Sequence, residues 1–146
     1  MKVVKLSRTV DKRRLVVRNL ATSLILFESI KTTPAKARAA RMLVERLITR
    51  AKQLKNETDS GRTLAMYRML LAATADELAA KKLKDVLADR FMARQGGYTR
   101  IQKLSRRLGD GAEQVVLSLT DRETPAASKK TTAPAKRSAA VKTEEK

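Results

Sequence analysis

Thr33 to Leu54, TPAKARAARMLVERLITRAKQL, is the stretch from which the fold is read. Ala37, Ala40, Val44, Leu47, Ile48, Ala51 and Leu54 recur at three- and four-residue steps and so share one side of a helix. Arg38, Arg41, Glu45, Thr49 and Lys52 fall on the other side. Thr33 stands at the N-cap and Pro34 at the first helical position, where a missing N–H is no loss.

Upstream, Ser29 to Thr32 reads as a brief strand, and Asp11 to Phe27 as a helix with Val16, Val17, Leu20, Leu24 and Phe27 inward. Arg14 and Arg18 lie one turn apart on another face of that helix. Downstream, Asn56 to Gly61 is a loop by composition, with Asp59 or Ser60 able to cap a third helix ending near Ala73. Thr74 and Glu77 have capping-box spacing and predict a fourth helix to about Arg90. Gly96-Gly97 ends the helical region. Tyr98 to Arg107 and Ala112 to Thr120 then read as two strands joined by the Leu108 to Gly111 turn. Val115, Leu117 and Leu119 alternate cleanly, whereas Ile101 and Leu104 have opposite parity, which leaves the limits of the first strand open. No repeat at a 20 to 50 residue period is found.

The 146 residues include 33 Lys plus Arg against 15 Asp plus Glu, a net charge of +18. Composition changes after Arg122: residues 123–146 are rich in Ala, Lys, Pro and Thr and contain Val141 as their only large aliphatic side chain. Such a tail cannot bury enough apolar surface to offset its chain entropy. The expectation is therefore a domain at 1–122 carrying most of the charge, and a disordered basic tail at 123–146. Without Cys or His there is no thiolate nucleophile, no Cys/His zinc site and no imidazole triad. The lack of Cys leaves the redox compartment open. Apolar runs such as Leu24 to Phe27 fall far short of the ~20 residues a spanning helix needs.

The segment Lys2 to Arg18 contains seven bases and one acid. A solubilising arm or an organellar transit peptide would share that bias, but helical patterning continues through Phe27 and ties the segment to the fold. Lys5, Arg8, Lys12, Arg13, Arg14 and Arg18 are thus candidates for phosphate contacts, whose affinity comes from counterion release and falls with salt. Gly97 to Arg107 places Arg100, Lys103, Arg106 and Arg107 without an acid after a double glycine, and a glycine lets the backbone approach a polyanion. The plainer alternative is a glycine turn leading into an edge strand kept soluble by charge.

Only four aromatics occur: Phe27, Tyr67, Phe91 and Tyr98. A platform for stacking single-stranded bases needs more rings, so recognition of folded RNA through shape and backbone is expected. Phe27 and Phe91 are expected in the core, and Tyr98 could stack, pack or donate its hydroxyl. Asp76 and Glu77 suit a helix start and Asp110 a tight turn, so no carboxylate pair calls for a catalytic reading. Gly61 and Gly96-Gly97 match neither the phosphate-loop nor the dinucleotide pattern.

Six ordered blocks carry a family resemblance: Lys5 to Thr9 (KLSRT), Arg18 to Leu24 (RNLATSL), Lys31 to Ala37 (KTTPAKA), Leu47 to Thr49 (LIT), Gly96 to Ile101 (GGYTRI) and Gly109 to Ala112 (GDGA). In this order the chain resembles, from about Lys5 to Asp121, the bacterial family of large-subunit ribosomal proteins numbered seventeen. The resemblance implies an α/β protein of the α+β type, with about four helices on a small mixed or antiparallel sheet. It also implies a structural, non-catalytic role in the cytoplasm. The site would be folded ribosomal RNA at the outer surface of the large subunit near the polypeptide exit, beside other ribosomal proteins. No metal, cofactor, small-molecule substrate or membrane is expected. Lys31 and Lys36 within the third block, Arg94 just before the double glycine and Tyr98 just after it complete the candidate RNA-binding set. The family usually begins with a longer basic arm and often has a His-Arg pair where this chain has Asp11 to Arg13, so contacts of that arm do not carry over. The tail inherits nothing from the resemblance.

Two other partners fit the charge. A basic domain with a Lys/Ala/Pro/Thr tail is also similar to linker-histone-like condensers of duplex DNA, and amphipathic basic helices suit anionic membranes.

Overall fold

The computed structural model describes residues 4–121. The tail and the boundary expected after Arg122 lie outside them. The chain runs α1 (Val10–Phe27), β1 (Ser29–Thr32), α2 (Pro34–Asn56), α3 (Ser60–Ala73) and α4 (Glu77–Lys82). A π-helical stretch at Leu83–Leu87 continues α4 into α5 (Ala88–Arg90), so the expected fourth helix is one rod with a widened middle. β2 (Thr99–Lys103) and β3 (Val115–Leu119) complete a three-stranded antiparallel sheet of order β1-β3-β2.

α2 is the axis of the core. All seven of its inward positions, Ala37 through Leu54, are buried. α1, α3, the π stretch and the sheet pack around it. On β3, Val115, Leu117 and Leu119 point to this core, and Leu117 is flanked across the sheet by Ile30 and Ile101. The opposite sheet face carries Ser29, Lys31, Arg100, Gln102, Val116 and Ser118, with no acid among them.

α1 turns inward differently from the expectation. Its buried residues are Ala21, Thr22, Leu24 and Ile25, while Phe27 is 68% exposed. Three residues beyond Leu24, Phe27 is rotated about 60° away from it, on the side opposite Ile25, and so lies outside the stripe. Phe91 is in the core as expected.

Glu28 makes the turn from α1 to β1 without a loop. It adopts the left-handed conformation with φ 60°, and its N–H donates to the Leu24 carbonyl at 2.8 Å. A side chain in that region costs about 1–3 kcal/mol unless its surroundings fix it. Here they do. The buried carboxylate takes Lys82 Nζ on Oε1 at 2.9 Å and Arg90 Nη1 on Oε2 at 3.0 Å, and its carbonyl accepts from Leu119 N–H at 3.0 Å. One residue therefore ties α1, the fourth rod and the sheet together.

Helix starts follow local chemistry with two corrections. Asp59 caps α3 by accepting from Gly61 N–H at 2.9 Å, as expected. The cap of α4 is Asp76, which accepts from Leu78 N–H at 3.0 Å, and not Thr74. The Thr74 hydroxyl instead turns back to the Leu70 carbonyl at 3.0 Å, because Thr74 is buried where α3 ends. Thr33 holds the N-cap position of α2, yet its side chain makes no capping bond, leaving Pro34 to set the start. Asp76→Ala should therefore lower stability by about 1 kcal/mol in urea unfolding. A neutral result would show that α4 needs no side-chain cap.

Candidate nucleic-acid interface

Many acids of the body are bound by bases of the body. Glu28 holds Lys82 and Arg90, Glu45 holds Arg41 at 3.0 Å, and Asp121 receives both Arg94 Nε at 3.2 Å and Nη2 at 3.1 Å. Lys55 pairs with Asp89, Arg62 lies against Glu57 and Asp59, and Arg107 meets Asp110 at 3.1 Å. Thr99 adds its hydroxyl to Glu45 at 3.0 Å. The cations without such partners are the ones free to meet another polyanion.

That distinction sorts the candidate residues. Lys5 and Arg8 precede α1 and Lys12 lies in its first turn; all three are exposed, and none of their side chains has a hydrogen-bond or ion-pair partner among the described residues. Lys31 and Arg100 stand on the open sheet face, and Lys36 sits in the first turn of α2; their side chains likewise have no partner among the described residues. Lys103 and Arg106 line a groove of about 380 Å³ with Arg38, Pro34 and Glu113. Arg13 lines a second groove with Arg14 and Arg18.

Four candidates are engaged internally. Arg94 is held by Asp121, Arg107 by Asp110, and Arg18 donates through Nε and Nη2 to the Thr74 carbonyl, with Nε at 2.9 Å. Arg14 is a weaker case, 3.9 Å from Asp11 with both side chains largely exposed. Of the alternatives open for Tyr98, packing is the one realised. It is 2% exposed, its ring meets Phe91 edge-on at 5.2 Å between centroids, and Lys52 Nζ lies 5.5 Å over its face and 3.3 Å from its hydroxyl. No face of that ring is open to a base.

The basic strand expected at Tyr98 to Arg107 is shorter, ending at Lys103, so Arg106 and Arg107 belong to the loop that follows. That loop holds its shape through Leu104 N–H to the Gln114 carbonyl at 2.9 Å and Arg107 N–H to the Ala112 carbonyl at 3.0 Å. The turn closes at Gly111, whose φ of 61° favours glycine. Gly97, with φ 66° and open space where a Cβ would stand, makes the bend into β2.

The two basic clusters are not one patch. Their grooves share no lining residue, but both abut α2, where Arg38 lines one and Ala39 the other. A third groove of about 420 Å³ runs along Arg46, Arg50 and Gly96-Gly97. Arg38, Met42, Arg46 and Arg50 follow at four-residue steps and so form one ridge of α2. Sequence reading placed Arg38 on the solvated side and did not single out Arg46 or Arg50. Arginines eight and four residues apart, on one helix face, are the available signal. Among the described residues there is no cluster of acids suited to a metal ion, and no helix is long and apolar enough to cross a membrane.

Residues 16–120 match the family described as Ribosomal protein L17. The chain is 44% identical over 119 residues to the Large ribosomal subunit protein bL17 of Staphylococcus haemolyticus strain JCSC1435, spanning 80% of this chain and 97% of that one. It is 44% identical over 117 residues to the bL17 proteins of Staphylococcus epidermidis strain RP62A and Staphylococcus aureus strain JH9, spanning 79% of this chain and 96% of each of those. The match covers α1 from Val16, the whole sheet and both grooved sides of α2, and on that extent and identity the chain belongs to the ribosomal protein L17 family.

Proposed function

We propose that this chain is a structural constituent of the large ribosomal subunit in the cytoplasm, without catalysis of its own. Folded ribosomal RNA near the polypeptide exit, beside neighbouring ribosomal proteins, is its binding site. The observation that carries the reading, beyond family membership, is the division of cations. Bases such as Lys82, Arg90 and Arg94 are consumed inside the body, whereas Lys5, Arg8, Lys31, Arg100, Lys103 and Arg106 have no ion-pair partner among the described residues. A rigid body presenting uncompensated cations on two sides suits a folded polyanion, because phosphate contacts fix register on a shaped backbone. The lack of an accessible ring at Tyr98 agrees with backbone and shape recognition.

Competition binding at equal salt tests this against the DNA-condenser alternative. Structured large-subunit RNA should outcompete generic duplex DNA of equal length by roughly a thousandfold, the lower bound for specific over non-specific sites. Equal competition would favour a non-specific duplex binder and overturn the reading.

A further inference from the structure

The groove between α1, α2 and the end of α3 combines two properties that phosphate binding alone does not require. It encloses about 610 Å³, within the roughly 300–1,000 Å³ range of pockets that take small organic ligands. Its lining is largely aliphatic, including Leu15, Val17, Met42, Leu43 and Ala72. Among the described residues, the charged side chains that line it are Arg13, Arg14, Arg18 and Arg46, with no acid. One of these guanidiniums is already ordered, since Arg18 is anchored on the Thr74 carbonyl.

We propose that this groove holds a single unstacked nucleotide of the ribosomal RNA, with its base on the aliphatic floor and its flanking phosphates on the arginines. This rests on the reading of the chain as an RNA-binding ribosomal protein and adds a pocket to it. Charge complementarity selects the occupant. An apolar side chain from a neighbouring protein would cover the floor and bring no negative charge to the arginines beside it. A phosphate alone would meet the arginines and leave the floor wet. A nucleotide satisfies both, because its base has an apolar face and its linkages carry the negative charge. Guanidinium planes serve bases as stacking partners where aromatic rings are few, and Arg18 loses little freedom on doing so because the main chain already holds it. The scarcity of accessible aromatics argues against a run of splayed bases and leaves room for one looped out of a folded RNA.

The test uses large subunits assembled with the full-length chain. The sequence contains no Cys, so Ala72→Cys gives a unique thiol at the groove for a short photo-crosslinker, and Arg106→Cys gives one on the other basic cluster. The Ala72 probe should crosslink to one or a few adjacent ribosomal RNA nucleotides. In unmodified subunits one of those bases should be shielded from base-specific alkylating or acylating reagents. Filling the groove with Ala39→Phe should raise the reactivity of that base at least fivefold in particles that still contain the protein. If the Ala72 probe reaches a neighbouring protein while the Arg106 probe reaches RNA, the RNA-binding reading stands and the nucleotide pocket is wrong. RNA crosslinks with no base shielded next to them would equally overturn the pocket. If neither probe reaches RNA, both readings fail.

Discussion

Replacing Glu28 by Ala should destabilise the isolated protein by about 2–4 kcal/mol, the largest effect expected from any single side chain outside the apolar core. Removing one member of a buried, hydrogen-bonded ion pair leaves the other charges without their partner, which costs more than the pair contributes. Here two cations lose the same carboxylate, Lys82 on one oxygen and Arg90 on the other. Lys82 keeps the Leu26 carbonyl at 2.9 Å and Arg90 the Asp121 carbonyl at 3.2 Å, so the loss falls short of complete orphaning. The backbone contribution is separable. Ala retains the left-handed strain at φ 60° and Gly does not, so Glu28→Gly should be more stable than Glu28→Ala by about 1 kcal/mol. Urea unfolding of the three proteins reads both terms. Equal stability of wild type and Glu28→Ala would show that the clamp is ornamental.

The same group gives a pH signature. Burial alone would raise the Glu28 pKa, but the hydrogen bonds and charges of Lys82 and Arg90 outweigh it and hold the carboxyl below its ordinary value near 4.5. A carboxyl whose pKa is lower in the folded state contributes stability that is complete above its unfolded pKa and is lost as pH falls through the folded one. Wild type should therefore lose this contribution below about pH 4.5. Glu28→Gln, already less stable at neutral pH, should show a shallower decline over that window. Parallel acid profiles would mean that other carboxylates carry the loss.

The second large effect concerns assembly rather than folding. Arg100→Glu combined with Arg106→Glu should reduce incorporation into large subunits at least tenfold in a sucrose gradient, while thermal unfolding of the free protein hardly changes. Arg100 projects from the open sheet face and Arg106 lines the groove beyond β2. Both are exposed, and neither side chain has a hydrogen-bond or ion-pair partner among the described residues. Surface changes of that kind usually move stability by about 0.5 kcal/mol or less. Each charge-assisted contact to RNA is worth about 1.5–3 kcal/mol, and reversal adds repulsion to the loss. Arg94→Glu should behave in the opposite way. It breaks the paired hydrogen bonds to Asp121 and should disturb the carboxyl end of the sheet more than the RNA. Normal co-sedimentation of the double variant would remove the β2 region from the interface.

How far the sequence reveals this molecule depends on which interactions are local. The seven inward residues of α2 were legible because burial in a helix is periodic and the period survives any choice of packing partner. β1 was legible to the residue, and alternation on β3 identified Val115, Leu117 and Leu119. α1 was read less well because apolar residues circle much of it, and only packing against α2 and the fourth rod decides that Ile25 enters and Phe27 does not. The false cap at Thr74 had the right spacing but lacked knowledge that α3 would end in the core.

The basic residues show the same divide. Charge excess picks out two segments, and most of their bases are exposed. Whether a given arginine is available depends on acids distant in the chain. Arg94 is taken by Asp121, 27 residues away, and Arg18 by a carbonyl 56 residues away. Arg107 is a local exception, with Asp110 three residues on. Arg38, Arg46 and Arg50 have the pattern of any solvated helix face, and only the grooves beside them distinguish them as a ridge.

Cryo-electron microscopy of large subunits containing this chain measures the central claim directly, that the cations without internal acids are the ones that hold RNA. Lys5, Arg8, Arg100 and Arg106 should lie within about 4 Å of RNA phosphate oxygens, close enough for charge-assisted hydrogen bonds or direct ion pairs. Lys82, Arg90 and Arg94 should remain on Glu28 and Asp121. Density showing the first group directed into solvent, with RNA packed instead against the internally paired bases, would contradict the account.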